Sequence, residues 1–264
     1  MIDKRHFIQD CSLVRTSVPL VLNITNYVAM DYSANALLAI GASPLMSFCP
    51  EEMEELASRC DSLVINIGCL DSQQIKAMRL AASVFEKRGR KWVLDPVGAG
   101  ASALRRETAL SLTEEFHPSI IRCNASEVIA LAGAGFSGKG VDSCAAAEEA
   151  EGIADAFALK SGCVISVSGP VDYITDGSRS ERISNGSPLM PRVTATGCVA
   201  SAITGALAAV RECAFEAALH AMAIMGVAGE TAASKSEGTG SFRVRFLDEL
   251  SNFNAGKAAE LIRQ

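Results

Sequence analysis

The chain has 264 residues and a formal charge of -6, with 49% apolar, 20% charged and 5% aromatic side chains. That length and apolar content suit one large core without a compositionally disordered tail. The acidic balance and the scarcity of aromatic rings argue against nucleic acid as the main partner, which would need a basic surface and stacking platforms.

At the N-terminus, Met1-Ile2-Asp3-Lys4-Arg5-His6 lacks the apolar run of a secretory signal, and no stretch reaches membrane-spanning length without charge or glycine. A cytoplasmic protein with no membrane partner is therefore expected. Nine cysteines are scattered without CxxC spacing, so neither a zinc site nor a disulfide framework is indicated. In chain order, strands are expected at 19–24, 63–67, 92–94, 119–122 and 163–168, each close to continuously apolar, as in a parallel sheet covered on both faces. Residues 171–175, the turn Asp176-Gly177 and the segment around Arg182-Ile183 have the pattern of an edge hairpin. Pro50 with Glu51, Glu52, Glu54 and Glu55 marks a helix start with acid near its positive end. Residues 72–88 read as an amphipathic helix closed by Gly89. Past 140 the chain becomes Ala-rich helix, and beyond 198 it is helical nearly to Gln264. No linker or internal repeat divides it. The expected fold is α/β, a single three-layer α/β/α domain over 1–264 with a mainly parallel central sheet.

In such folds ligands gather at the carboxyl ends of the strands. Asn23-Ile24-Thr25-Asn26-Tyr27-Val28 and the stretch from Ser33 to Met46 place amides and a thioether around the first strand end, where they could equally satisfy loop backbone or fill core. Leu94-Asp95-Pro96-Val97-Gly98-Ala99-Gly100 ends a strand with an acid and a permissive turn, the plain alternative being an Asp that only ties the turn. In Arg122-Cys123-Asn124-Ala125-Ser126-Glu127, Asn124 and Glu127 form a capping box, and Arg122 beside an open helix end suits a phosphate. Two acids after separate strands, Asp95 and Glu127, suit a magnesium ion held through water. Gly133, Gly135 and Gly138 match dinucleotide-loop spacing and, with Lys139, nearly match a P-loop. Both motifs must follow a strand, whereas 124–132 reads as a helix, and Gly140 stands where a P-loop needs Ser or Thr. Val193-Thr194-Ala195-Thr196-Gly197-Cys198 opens directly into a small-residue helix. Its unpaired N–H groups and positive end can hold an anion, and the same field is expected to lower the Cys198 thiol pKa. The plain alternative is a Thr-capped helix with a buried Cys.

Taken together these residues resemble the hydroxyethylthiazole kinase family, within the ribokinase-like group. The resemblance is carried by Thr25-Asn26, Ala34-Asn35-x-Leu37-Leu38-Ala39-x-Gly41-Ala42-Ser43-Pro44-x-Met46, Asn66-Ile67-Gly68, Leu94-Asp95-Pro96-Val97-Gly98, Arg122-x-Asn124-Ala125-Ser126-Glu127, Gly140-Val141-Asp142-Ser143 and Thr196-Gly197-Cys198. It implies ATP-dependent phosphorylation of the primary alcohol of 4-methyl-5-(2-hydroxyethyl)thiazole, with Mg2+, by a homotrimer whose thiazole pocket lies between subunits. Position by position, it implies that Met46, Asn26, Val28 and Gly68 line the thiazole pocket and that Arg122, Asn124, Ser168 and Thr194 face the nucleotide. Asp95 and Glu127 would serve the magnesium. Ala195 and Gly197 would supply backbone near the substrate and the transferred phosphate, and Cys198 would stand where related sugar kinases carry a catalytic Asp. Two positions depart from the family pattern: Asn23 stands where His is usual, and Ala195 where Gly is usual. A ribokinase-like kinase for another small heterocyclic alcohol, such as a hydroxymethylpyrimidine, and a non-catalytic ligand-binding relative remain alternatives. A dinucleotide enzyme using the 133–138 glycines is a third.

Overall fold

Seven of the eight strands show, in the apolar residues they contribute, why they form one covered sheet. Val21, Val64, Val93, Ile120, Val164, Ile174 and Ile183 enter one core; Leu22, Leu63, Trp92, Ile121, Ile165 and Tyr173, each adjacent in sequence to one of these, enter a second core on the opposite face. In this computed structural model, which describes residues 1–133 and 143–264, the strands are β1 (Leu20–Ile24), β2 (Ser43–Met46), β3 (Ser62–Asn66), β4 (Trp92–Asp95), β5 (Ile120–Asn124), β6 (Val164–Ser168), β7 (Asp172–Thr175) and β8 (Ser180–Ile183). Their order is β2-β1-β3-β4-β5-β6-β7-β8. The pairs from β2 to β6 are all parallel, and β7 and β8 add an antiparallel hairpin at the far edge. The five expected strands and the hairpin are therefore present, with ends shifted by one or two residues. β2 was not anticipated, because it is a half-buried edge strand beginning Ser-Pro and has no continuous apolar run.

One face is covered by α3 (Pro50–Arg59), α4 (Ser72–Lys87), α5 (Ala103–Phe116), α6 (Ala125–Ala132) and α7 (Ser143–Ser161). The other is covered by α1 (Lys4–Ser17), α2 (Met30–Ile40), α8 (Thr196–Val210), α9 (Ala214–Ser234), α10 (Thr239–Ser251) and α11 (Ala255–Leu261). The expected three-layer arrangement is present. Among the described residues no helix is long and apolar enough to cross a membrane. Gly133 caps α6 in the left-handed region, so the glycine-rich stretch does follow a helix; residues 134–142 of it lie outside the described residues.

α8 lies on the centre of the sheet, against β1, β3 and β4. Its small side chains let it approach closely, since a Cβ on Gly205 would collide with the Val64 side chain. Behind it, α1, α8 and α9 are tied by a buried ion cluster. Asp10 accepts from Arg211 Nε at 3.0 Å through Oδ1 and at 2.8 Å through Oδ2, and Oδ2 lies 2.7 Å from His220 Nδ1. Burial would push the Asp10 carboxyl up, but its bonds to His220 and Arg211 outweigh that and hold it below the usual range.

Candidate active site

The carboxyl ends of β1, β3, β4, β5 and β6 open toward the N-terminus of α8. That terminus is unusual in its cap. Ala195 occupies the N-cap with φ 69°, in the left-handed region, and offers no side-chain acceptor. For a residue with a Cβ this conformation costs about 1–2 kcal/mol, which explains why glycine suits the position. The Thr196 hydroxyl turns back to the Val193 carbonyl at 2.8 Å, so the N–H groups of Gly197 and Cys198 find no acceptor among the described residues. Two open donors and the positive helix end thus face the sheet.

Arg122 faces the same spot. It lies within β5 rather than after a strand, because β5 runs on to Asn124. Its Nη2 donates to Ser168 Oγ, which in turn donates to the Cys123 carbonyl at 3.3 Å. A Cβ on Gly197 would stand 3.0 Å from Arg122 Nη1, so glycine lets the guanidinium lie against the helix start without shifting. The buried Arg122 Nε has no partner among the described residues.

Between α8 and β3 a polar chain runs across the strand ends. Asn26 Nδ2 donates to Asn66 Oδ1 at 2.9 Å and lies 3.4 Å from Cys198 Sγ; Asn66 Nδ2 reaches Asp95 Oδ2 at 2.6 Å and Cys198 Sγ at 3.2 Å. Gly68 N–H donates to Asn66 Oδ1 at 2.9 Å. Ser201 Oγ also donates to Asp95 Oδ2, at 2.7 Å, whereas Asp95 Oδ1 is buried without a partner among the described residues. Burial pushes the Asp95 carboxyl up to about 6, opposed by the Arg122 charge and reinforced by Glu127.

The expected lowering of the Cys198 thiol is overturned. Burial, and then the nearby Asp95 charge, push it up to about 11, so the thiol stays protonated and the helix field loses to desolvation.

Glu127 completes the capping box with Asn124, as expected. Its Oε2 accepts from Asn124 N–H and its Oε1 from Gly98 N–H, both at 2.9 Å, which locks the turn after β4 to the start of α6. Each oxygen keeps a lone pair. Together with the free Oδ1 of Asp95, this donor set fits a magnesium ion that takes its remaining ligands from phosphate and water. Among the described residues no group of three His, Cys, Asp or Glu could hold a metal alone.

A cavity of about 800 Å³ extends from this point toward α9. Its wall is made by Arg122, Asn124, Ser168, Thr194, Ala195 and Gly197, and also by Met190, Met222 and Met225 together with the polar Ser184, Asn185 and Ser187. Asn26, Met46, Val28 and Gly68 lie outside it, on the β1 to β3 side. There Val28 is 62% and Tyr27 56% exposed.

Three features escaped the sequence reading. Arg105 on α5 donates to the carbonyls of Ile67, Val97 and Gly68 at 2.8–2.9 Å, clamping the loops after β3 and β4 together. The segment 184–191 walls the cavity, and its Ser-Asn-Gly-Ser-Pro run was a readable turn signal. Asp172, the first residue of β7, also lines the cavity.

The model of the hydroxyethylthiazole kinase family matches residues 11–255. A hydroxyethylthiazole kinase of Oleidesulfovibrio alaskensis is 49% identical over 253 residues, covering 95% of each chain. The solved structure of a hydroxyethylthiazole kinase protein from Pyrococcus horikoshii OT3 superposes with a TM-score of 0.87 at 38% identity, covering 95% of this chain and 94% of that one. A ribokinase-like superfamily protein of Enterococcus faecalis V583 superposes at 0.64 with 15% identity, over 90% and 87% of the two chains, a likeness of fold alone. The fold is ribokinase-like.

Proposed function

This chain belongs to the hydroxyethylthiazole kinase family, and on that premise we propose that it transfers the γ-phosphoryl group of ATP to the alcohol of hydroxyethylthiazole, with residues 1–264 acting as one catalytic domain. One observation carries this reading: the Arg122 guanidinium lies against the uncapped start of α8 at Gly197, and both line an 800 Å³ cavity. Phosphoryl transfer asks a protein mainly for positioning and for charge stabilisation where negative charge spreads over the γ-phosphate. Arg122 and the α8 N-terminus supply that stabilisation. Arg122, Asn124, Ser168 and Thr194 face the nucleotide.

Asp95, whose Oδ1 is free, and Glu127 would hold magnesium, which when bound would neutralise phosphate charge. On the other side, Asn26, Val28, Met46 and Gly68 receive the thiazole, and the backbone of Ala195 and Gly197 sits where alcohol and phosphate meet. Cys198 orients the alcohol rather than taking its proton, because its thiol is held protonated and a loose transition state needs little base assistance. The exposure of Tyr27 and Val28 supports a homotrimer that closes the thiazole pocket between subunits. Free thiols throughout the described residues support a cytoplasmic setting.

The test is ADP release with a panel of acceptors. Hydroxyethylthiazole should be turned over and hydroxymethylpyrimidine should not; preference for the pyrimidine would overturn the acceptor assignment.

A further inference from the structure

Asp172 is a buried carboxylate in the wall of the cavity that none of the roles above uses. It begins β7, is 7% exposed, and shares its sheet face with Ile174, two residues on, under α9. Its Oδ1 accepts the Gly169 N–H at 3.0 Å, which fixes the side chain across the turn after β6; its Oδ2 accepts no hydrogen bond among the described residues. Burial pushes its carboxyl up to about 7, opposed by the Gly169 bond and the Arg122 charge. That second oxygen is not among the buried unpartnered atoms, so it is open to the cavity, where a ligand hydroxyl can donate to it.

The cavity itself says which donor. Arg122 and the α8 N-terminus claim the part of the wall they form for phosphate, and a carboxylate cannot lie against phosphate oxygens. Met190 and, on α9, Met222 and Met225 offer polarizable thioethers suited to a flat base, with Asn185 beside them. Asp172 is one turn from Ser168, the hydrogen-bond partner of Arg122, and it lies on the face that α9 covers. That places it between phosphate and base, where a nucleotide presents its sugar.

We propose that Asp172 accepts hydrogen bonds from the ribose hydroxyls of the bound nucleoside triphosphate and so makes the cavity selective for ribonucleotides over deoxynucleotides. This rests on the reading of the cavity as the nucleotide site. A charge-assisted bond of this kind is worth a factor of about 10 to 100 in affinity.

The test compares ATP, 2′,3′-dideoxy-ATP and purine riboside triphosphate, which lacks the base amino group, as donors for the wild type and for Asp172→Asn. The variant keeps an oxygen for the Gly169 N–H while losing the charged acceptor. For the wild type, KM should rise about tenfold or more from ATP to the dideoxy analogue. In Asp172→Asn, KM for ATP should rise to near the dideoxy value, while KM for the dideoxy analogue and the response to the missing amino group stay unchanged. Equal KM for ATP and the dideoxy analogue in the wild type would overturn the ribose contact while leaving the kinase reading intact, and that comparison needs no variant. A variant that loses discrimination at the amino group instead would move the contact to the base and overturn the proposal. Absence of any turnover with ATP would sink the nucleotide site itself.

Discussion

Two aspartates on the same side of the sheet are both fully buried, yet the protein treats them in opposite ways. Asp10 has both oxygens occupied, by Arg211 and His220, and its carboxyl is held below the usual range. Asp95 has one oxygen bonded to Asn66 and Ser201 and the other bonded to nothing among the described residues, and its carboxyl is pushed up to about 6. The first arrangement is complete in the chain alone. The second leaves an acceptor that the folded chain does not satisfy, on the strand next to the one whose Arg122 and Asn124 line the ligand cavity, and within the field of Arg122. Buried polar groups left incomplete mark places where a ligand finishes the structure, whereas completed ones mark places where helices are pinned.

The largest effect should come from Asp95→Asn, which keeps the shape but loses the charge. Its turnover is expected to fall on the order of 10²–10³-fold, as for other lost transition-state electrostatics, with no loss of ligand-free thermal stability. A stability loss without a loss of turnover would reverse the contrast. Asp10→Ala is expected to do the opposite, destabilising by about 3–5 kcal/mol by leaving Arg211 and His220 uncompensated, while kcat of the folded fraction is unchanged. Urea unfolding and kcat measured together check both.

The two acids also predict opposite pH slopes. Asp95 binds its proton more tightly folded than unfolded, so its contribution to ligand-free stability is present below the ordinary value of 3.8 and is lost as pH rises to about 6. Asp10 binds its proton less tightly when folded, so its contribution is present above 3.8 and is lost as pH falls below it. Asp95→Asn should therefore flatten the stability curve between about pH 4 and 6 and leave the acid limb alone; an unchanged curve would show that Asp95 is not the titrating group. The smallest effect belongs to Cys198→Ala, which should lower kcat less than tenfold, since the thiol is held protonated; a larger fall would restore it as a base.

How much of this could be read in the residues follows the same division. The positions of Asp95 and of the Thr194 to Cys198 turn were legible because each sits at a strand end or helix start, and strand ends show in local apolar runs; Arg122 was found by the same signal although it lies two residues inside the end of β5. The helix cap at Asn124 and Glu127 was legible for the same local reason. Asp10 and His220, 210 positions apart, were not, because nothing local announces that two helices will bury their polar faces against each other. Arg105 and Asp172 depend likewise on loops brought together by the sheet. The direction of the Cys198 shift was misread because the helix field is a local property, whereas the burial and the Asp95 charge that overcome it come from β3 and β4. β2 was missed because an edge strand needs no continuous apolar run.

The most direct measurement is ³¹P NMR of ATP, Mg2+ and hydroxyethylthiazole incubated with the wild type and, in parallel, with Asp95→Asn. The expected result is a new phosphomonoester resonance growing in step with ADP for the wild type and nearly absent for the variant over the same time. A phosphomonoester formed equally fast by both proteins would contradict the placing of phosphoryl transfer at Asp95, Arg122 and the α8 N-terminus, and none from the wild type would contradict the activity.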